Sequence, residues 1–96
     1  MIDIQEGHLK TVLAILSKYV PGYEIWAFGS RVNQKPKKHA DLDLVIKTDS
    51  PLPVKTLAFL RDAFSESNLP FKVDVVDWSR INKEFQKIIE NKFEIL

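Results

Sequence analysis

Three aspartates in this chain occupy places where a carboxylate is expensive. Asp41 and Asp43 flank Leu42 in a run that continues Leu44-Val45-Ile46, and Asp74 lies within Phe71-Lys72-Val73-Asp74-Val75-Val76. Both runs read as β-strands, whose interiors disfavour aspartate, and a buried carboxylate without a partner is costly. Carboxylates close together also raise one another's pKa values. Positive charge must therefore stand among them, from lysine, arginine or a divalent cation. The spacing favours the cation. Residues i and i+2 on a strand point the same way, about 6.7 Å apart, and the two ions of a phosphoryl-transfer centre lie about 3.5–4 Å apart. A third carboxylate from a strand about 4.8 Å away completes an oxygen-only site. Such donors, with no cysteine and no paired histidine, suit magnesium or manganese rather than zinc.

Gly29-Ser30 supplies the complementary half. Glycine lets a phosphate approach the backbone closely. A helical turn beginning after Ser30 would offer free amides to an anion, and the Ser30 hydroxyl is a further donor. Arg31 follows directly. The complete signal is Gly-Ser, ten residues, Asp-x-Asp, and a third aspartate on a later strand.

The elements that must position these residues follow from periodicity. Leu9, Val12, Leu13, Leu16 and Val20 predict a helix over about 5–19, stopped by Pro21-Gly22. Tyr23 to Phe28 predicts a strand, with Ile25 and Ala27 alternating against Trp26 and Phe28. Asp41 to Ile46 predicts a second strand, with Leu42, Leu44 and Ile46 on one face and Asp41, Asp43 and Val45 on the other. Thr48, Asp49 and Ser50 provide helix-start chemistry, Pro51 and Pro53 suit a first turn, and Val54, Leu57, Ala58, Leu60 and Phe64 mark a helix to about residue 67. Phe71 to Val76 is the third strand. Ile81, Phe85, Ile88 and Ile89 mark a last helix with Asn82 as N-cap, and the tail from Phe93 to Leu96 adds a short strand or docks on the core. The fold class is α/β, of the α+β type, with a small mixed sheet flanked by helices. A helix between strands two and three implies a parallel crossover. A shorter link lets strands one and two run antiparallel, which brings Gly29-Ser30 beside Asp41.

Composition narrows the function classes. Ninety-six residues are read as one domain spanning 1–96. Hydrophobic residues at 45% and charged residues at 28% make an ordinary globular mixture. A net charge of +1 does not announce a nucleic-acid binder. No apolar run nears the roughly 18 residues of a membrane span, and no basic-then-apolar leader opens the chain. With no cysteine, disulfides, thiolate zinc sites and cysteine nucleophiles are excluded. A cytoplasmic location is the expectation.

The combination of Gly29, Ser30, Asp41, Asp43 and Asp74 resembles the nucleotidyltransferase superfamily, which shares the fold of DNA polymerase β and kanamycin nucleotidyltransferase. It is more closely similar to the minimal nucleotidyltransferases, small proteins paired with HEPN-domain toxins in toxin–antitoxin systems. The resemblance runs from the strand at Tyr23 to the last helix. Two positions depart from the minimal pattern: Val32-Asn33-Gln34 replaces the usual Ala-Arg-Gly after Gly-Ser-Arg, and Ala40 replaces a frequent serine. What the resemblance implies is transfer of AMP from ATP to a hydroxyl of a partner protein, the HEPN toxin. Asp41 and Asp43 would hold two magnesium ions, Asp74 would bind the ion nearer the acceptor and help deprotonate its hydroxyl, and Gly29, Ser30 and Arg31 would bind the nucleotide's phosphates. A homo- or hetero-oligomer is expected. Two alternatives stand beside this: an antitoxin that masks its toxin without catalysis, and nucleotidyl transfer to RNA or to a small molecule such as an aminoglycoside.

Plainer readings apply elsewhere. Taken singly, Asp41 is a strand-start cap and Asp43 an edge-strand charge. Lys35, Lys37 and Lys38 read as a solvated basic loop, with contact to triphosphate or an RNA acceptor as the alternative; His39, two residues from Asp41 with no second histidine nearby, is the weaker catalytic candidate, and His8 reads as exposed on the polar side of the first helix. Trp26, Phe28, Phe64 and Phe71 read as core. Trp78 reads as core, with cover for an adenine or a partner surface as the alternatives, Asp77 caps the segment after it, and Phe93, Ile95 and Leu96 are candidates for a partner-facing surface.

Overall fold

A computed structural model describes residues 4–32 and 40–96 of the chain. The elements, in order, are α1 (Glu6–Tyr19), β1 (Glu24–Phe28), β2 (Leu42–Lys47), α2 (Val54–Ser65), β3 (Val73–Asp77), a 3₁₀ turn (Trp78–Arg80), α3 (Lys83–Asn91) and β4 (Glu94–Ile95). The strands form one mixed sheet in the order β3-β2-β1-β4. β1 and β2 are antiparallel, with Phe28 opposite Asp43. β2 and β3 are parallel, with Asp43 opposite Asp74.

Period-two alternation decides which face each strand residue takes. Leu42, Leu44 and Ile46 are wholly buried on one face, with Ile25, Ala27, Val73 and Val75. Val12 and Leu16 of α1 and Leu57, Leu60 and Phe64 of α2 complete this core. Each fully buried leucine or isoleucine contributes about 1.5–3 kcal/mol, so this layer fixes the register on which the other face depends. Trp26, Phe28, Asp43, Val45, Asp74 and Val76 point the opposite way. There α3 provides cover: Phe85 meets Phe28 edge-on at 5.7 Å, Gln86 Nε2 donates to the Trp78 carbonyl, and Ile89 is buried. Asn82 caps α3, accepting from the Phe85 amide at 2.8 Å.

Several expectations need correction. Thr48, Asp49 and Ser50 do not start α2, which begins at Val54 after Pro53 without a side-chain cap. A residue before proline avoids the helical region, so Pro51 and Pro53 disfavour helix at Ser50 and Leu52, and the chain bends at Asp49 and Ser50 before α2. Thr48 is drawn instead into a buried network with Asp77 and Ser79. His8 is half-buried rather than exposed, its ring edge-on to Phe71 at 5.8 Å. Phe64 is core, whereas Trp26, Phe28 and Phe71 are only half-buried. The tail forms β4, pairing Trp26 with Ile95. Phe93 stacks on Trp26 at 3.8 Å and Leu96 packs against the core, which leaves Ile95 as the exposed member of the three. Trp78 packs beside Trp26 and under the Lys47 ammonium. Asp77 caps the 3₁₀ turn, as expected. Lys35, Lys37, Lys38 and His39 lie outside the described residues.

Candidate active site

The end of β1 and the starts of β2 and β3 meet at one end of the sheet. Phe28, Asp43 and Asp74 form a row across three strands on the face opposite the core. Partners in adjacent strands lie about 4.8 Å apart, so Asp43 and Asp74 are direct neighbours. Asp41 precedes Asp43 by two residues, on the exposed approach to β2. The crowding has an electrostatic consequence. The Asp43 carboxyl is raised above its ordinary range, first by burial, then by Asp74, then by Asp41. Two carboxylates therefore act on a third that is already short of water, a place that gains from added positive charge.

The chain after β1 turns sharply to make room. Gly29 has a φ of +82°, a left-handed conformation that glycine adopts without penalty. The Val32 amide closes the turn by donating to the Gly29 carbonyl at 3.0 Å, and the buried Val32 side chain anchors it. The turn spans residues 29–32, and a helical turn beginning after Ser30 would run on into residues 33–39, outside the described ones. A methyl group at Gly29 would overlap Asp43 Oδ2 and stand 3.2 Å from its Cγ. The missing side chain is thus what allows the Asp43 carboxylate to rest on the turn. Ser30 is exposed at its tip.

Arg31 goes elsewhere. It is buried at 8% exposure, its Nε donates to the Ala40 carbonyl at 2.9 Å, and its guanidinium lies over the Phe71 ring at 4.3 Å. Lys72 Nζ stands 3.5 Å from Asp74 Oδ1, a contact in which both side chains are substantially exposed. Such surface pairs contribute about 0–1 kcal/mol, so Lys72 does not lock Asp74. Its i,i+2 spacing from Asp74 was the sequence signal for this pairing. Arg31's lodging with Ala40 and Phe71 had none, because it depends on how separate strands meet.

A groove of about 980 Å³ adjoins the row, running along β3 and lined by Phe28, Asp43, Asp74, Val76, Phe85 and Lys72, among others. The all-oxygen donor set and the glycine cradle under Asp43 fit a hard divalent cation, with Asp41, Asp43 and Asp74 as the residues to hold it. As the side chains stand, no group of three or more histidine, aspartate or glutamate residues among those described is in metal-holding geometry. No helix among the described residues is long and apolar enough to cross a membrane.

Comparison with known proteins identifies the family. A family model for polymerase beta nucleotidyltransferases matches residues 10–96. The chain is 43% identical over 95 residues to "Probable protein adenylyltransferase MntA" of Haemophilus influenzae, covering 99% of this chain and 83% of that protein. A crystal structure carrying a provisional nucleotidyltransferase name superposes with a TM-score of 0.55 at 22% identity, over 94% of this chain and 98% of the other, and supports the fold. With the family matched along nearly its whole length and the aspartates in register, the chain belongs to the polymerase β-like nucleotidyltransferases, in their minimal form, and is an enzyme of that class.

Proposed function

We propose that this nucleotidyltransferase moves AMP from magnesium–ATP to a hydroxyl of a partner protein, and that the partner is a HEPN-domain toxin for which it serves as antitoxin. The observation that carries the reading is the register of Asp43 opposite Asp74, with Gly29 cut back to admit the Asp43 carboxylate. The protein-adenylyltransferase name of the 43% identical relative supports the choice of donor and acceptor.

Each residue then has a task. Asp41, Asp43 and Asp74 would hold two magnesium ions, or manganese in their place, which would supply charge neutralisation for the triphosphate. The Gly29 turn and the Ser30 hydroxyl hold the β- and γ-phosphates. Asp74, on β3 in the wall of the groove, receives the proton of the acceptor hydroxyl. The acceptor oxygen attacks the α-phosphorus in line, the bond to the bridging oxygen breaks, and pyrophosphate leaves. Little covalent chemistry falls to the protein, and the rate comes from positioning and electrostatics. The setting is cytoplasmic.

The test is incubation with α-labelled ATP, magnesium and the candidate HEPN partner. Label on the partner that disappears with Asp43→Asn supports the reading. Neutralisation of the toxin that survives both Asp41→Asn and Asp43→Asn, with no label transferred, replaces it with masking.

A further inference from the structure

Arg31 directly follows the phosphate turn, yet its side chain turns back into the fold. It spans from the backbone after Ser30 to the carbonyl of Ala40, the residue peptide-bonded to Asp41. Its flat face lies on Phe71, which leads into the strand carrying Asp74. Phe71 is in turn held edge-on by His8 of α1. One side chain therefore touches the segment leaving β1, the segment entering β2 and the segment entering β3. These are the three places from which Gly29, Asp41 and Asp74 are hung. With 8% of its surface exposed, Arg31 offers little for a triphosphate to reach.

We propose that Arg31 is a positioning residue, a clamp that sets the distance between the Gly29-Ser30 turn and the aspartate strands, and not itself a ligand of the phosphates. The proposal rests on the functional reading above only for what the clamp serves. The chemistry calls for arginine specifically. A planar guanidinium can donate in its plane from Nε while stacking its face on a ring, and a lysine ammonium cannot do both. A phosphate ligand would obey a different rule, because lysine keeps the positive charge that a phosphate needs. Phe71, which touches Arg31 and carries no charge, separates the two cases further.

The experiment compares Arg31→Lys, Arg31→Gln and Phe71→Leu in the full chain. It reads amide hydrogen exchange at Val32 and Leu42, with the Leu60 amide as reference for global opening, and magnesium–ATP affinity by calorimetry. A clamp predicts that exchange at Val32 and Leu42 rises about tenfold in all three variants while Leu60 is unchanged. It also predicts that Arg31→Lys and Phe71→Leu weaken ATP binding alike, by roughly 10- to 100-fold as for other supporting residues. Affinity kept by Arg31→Lys, lost by Arg31→Gln and unaffected by Phe71→Leu overturns the clamp in favour of a phosphate ligand. Unchanged exchange in Phe71→Leu, the mildest of the three, overturns it as well. Exchange needs no nucleotide. If the wild-type chain binds no ATP, the functional reading fails while exchange alone still decides the clamp.

Discussion

Asp74 and Asp77 stand three residues apart on the same strand, and their surroundings are opposites. Asp77 turns into the core side at 2% exposure and is saturated with donors: Thr48 Oγ1 at 2.5 Å, the Leu52 amide at 2.7 Å, the Ser79 amide at 3.1 Å and Arg80 Nε at 3.4 Å. It fastens the end of β2, the lead into α2 and the 3₁₀ turn together. Asp74 turns to the other face, beside Asp43, and among the described residues its ion pair is with a solvent-exposed lysine. A carboxylate that serves the fold is given neutralising partners by the chain itself. The carboxylates of the candidate site are set against each other, with only an exposed lysine beside Asp74.

If that contrast is right, the two aspartates fail in different ways when changed. Asp74→Asn and Asp43→Asn should each lower nucleotidyl transfer by on the order of 10²–10⁴-fold, with no loss of thermal stability. Initial rates with labelled ATP measure this, and transfer within a few-fold of wild type removes that residue from the site. Asp77→Ala should do the reverse in kind. Leaving buried donors and Arg80 without their acceptor costs about 3–5 kcal/mol, a fall in melting temperature of roughly 12 °C or more for a domain this size. A melting temperature within about 3 °C of wild type would mean the network relaxes around the loss.

Two glycines sharpen the comparison by separating backbone from contact. Gly22 and Gly29 have φ values of +83° and +82°, but a side chain at Gly22 meets nothing within 4 Å, whereas one at Gly29 overlaps Asp43. Gly22→Ala should cost only the left-handed penalty, about 1–2 kcal/mol. Gly29→Ala should cost more and should also displace Asp43, weakening magnesium–ATP binding, which Gly22→Ala leaves intact. Calorimetry on both variants decides it, and equal effects would remove the cradle from the site.

The smallest effect concerns pH in metal-free buffer. Asp43 is raised in the folded chain by burial and by its two neighbours, so the native state binds its proton more tightly than the unfolded state does. Stability contributed by this group is greatest at low pH and falls as pH rises from the ordinary aspartate value through the raised one. Asp43→Asn should therefore raise the melting temperature at neutral pH in EDTA, and the gain should vanish in acid where both forms are neutral. A gain independent of pH would point to packing instead.

How far the sequence disclosed this arrangement depended on the range of the forces involved. The alternation of Leu42, Leu44 and Ile46 against Asp41 and Asp43 is a local property of one strand, and it placed the carboxylates on the right face. The Gly-Ser turn and the Asn82 cap are also local and were readable. The start of α2 was readable in principle, since Pro51 and Pro53 outweigh the cap-like Asp49 and Ser50, but Thr48 answers to Asp77, 29 residues away. Arg31 likewise depends on Ala40 and Phe71, and His8 on Phe71. Each of these is decided by strands meeting in space, for which a linear pattern holds no signal.

The most direct measurement is manganese binding followed by electron paramagnetic resonance in the presence of ATP. The wild-type chain should take up two ions per nucleotide complex, and Asp43→Asn should lose that uptake while remaining folded. Equal manganese uptake by wild type and Asp43→Asn, or none by either, would contradict the claim that these aspartates were left unbalanced for a dication.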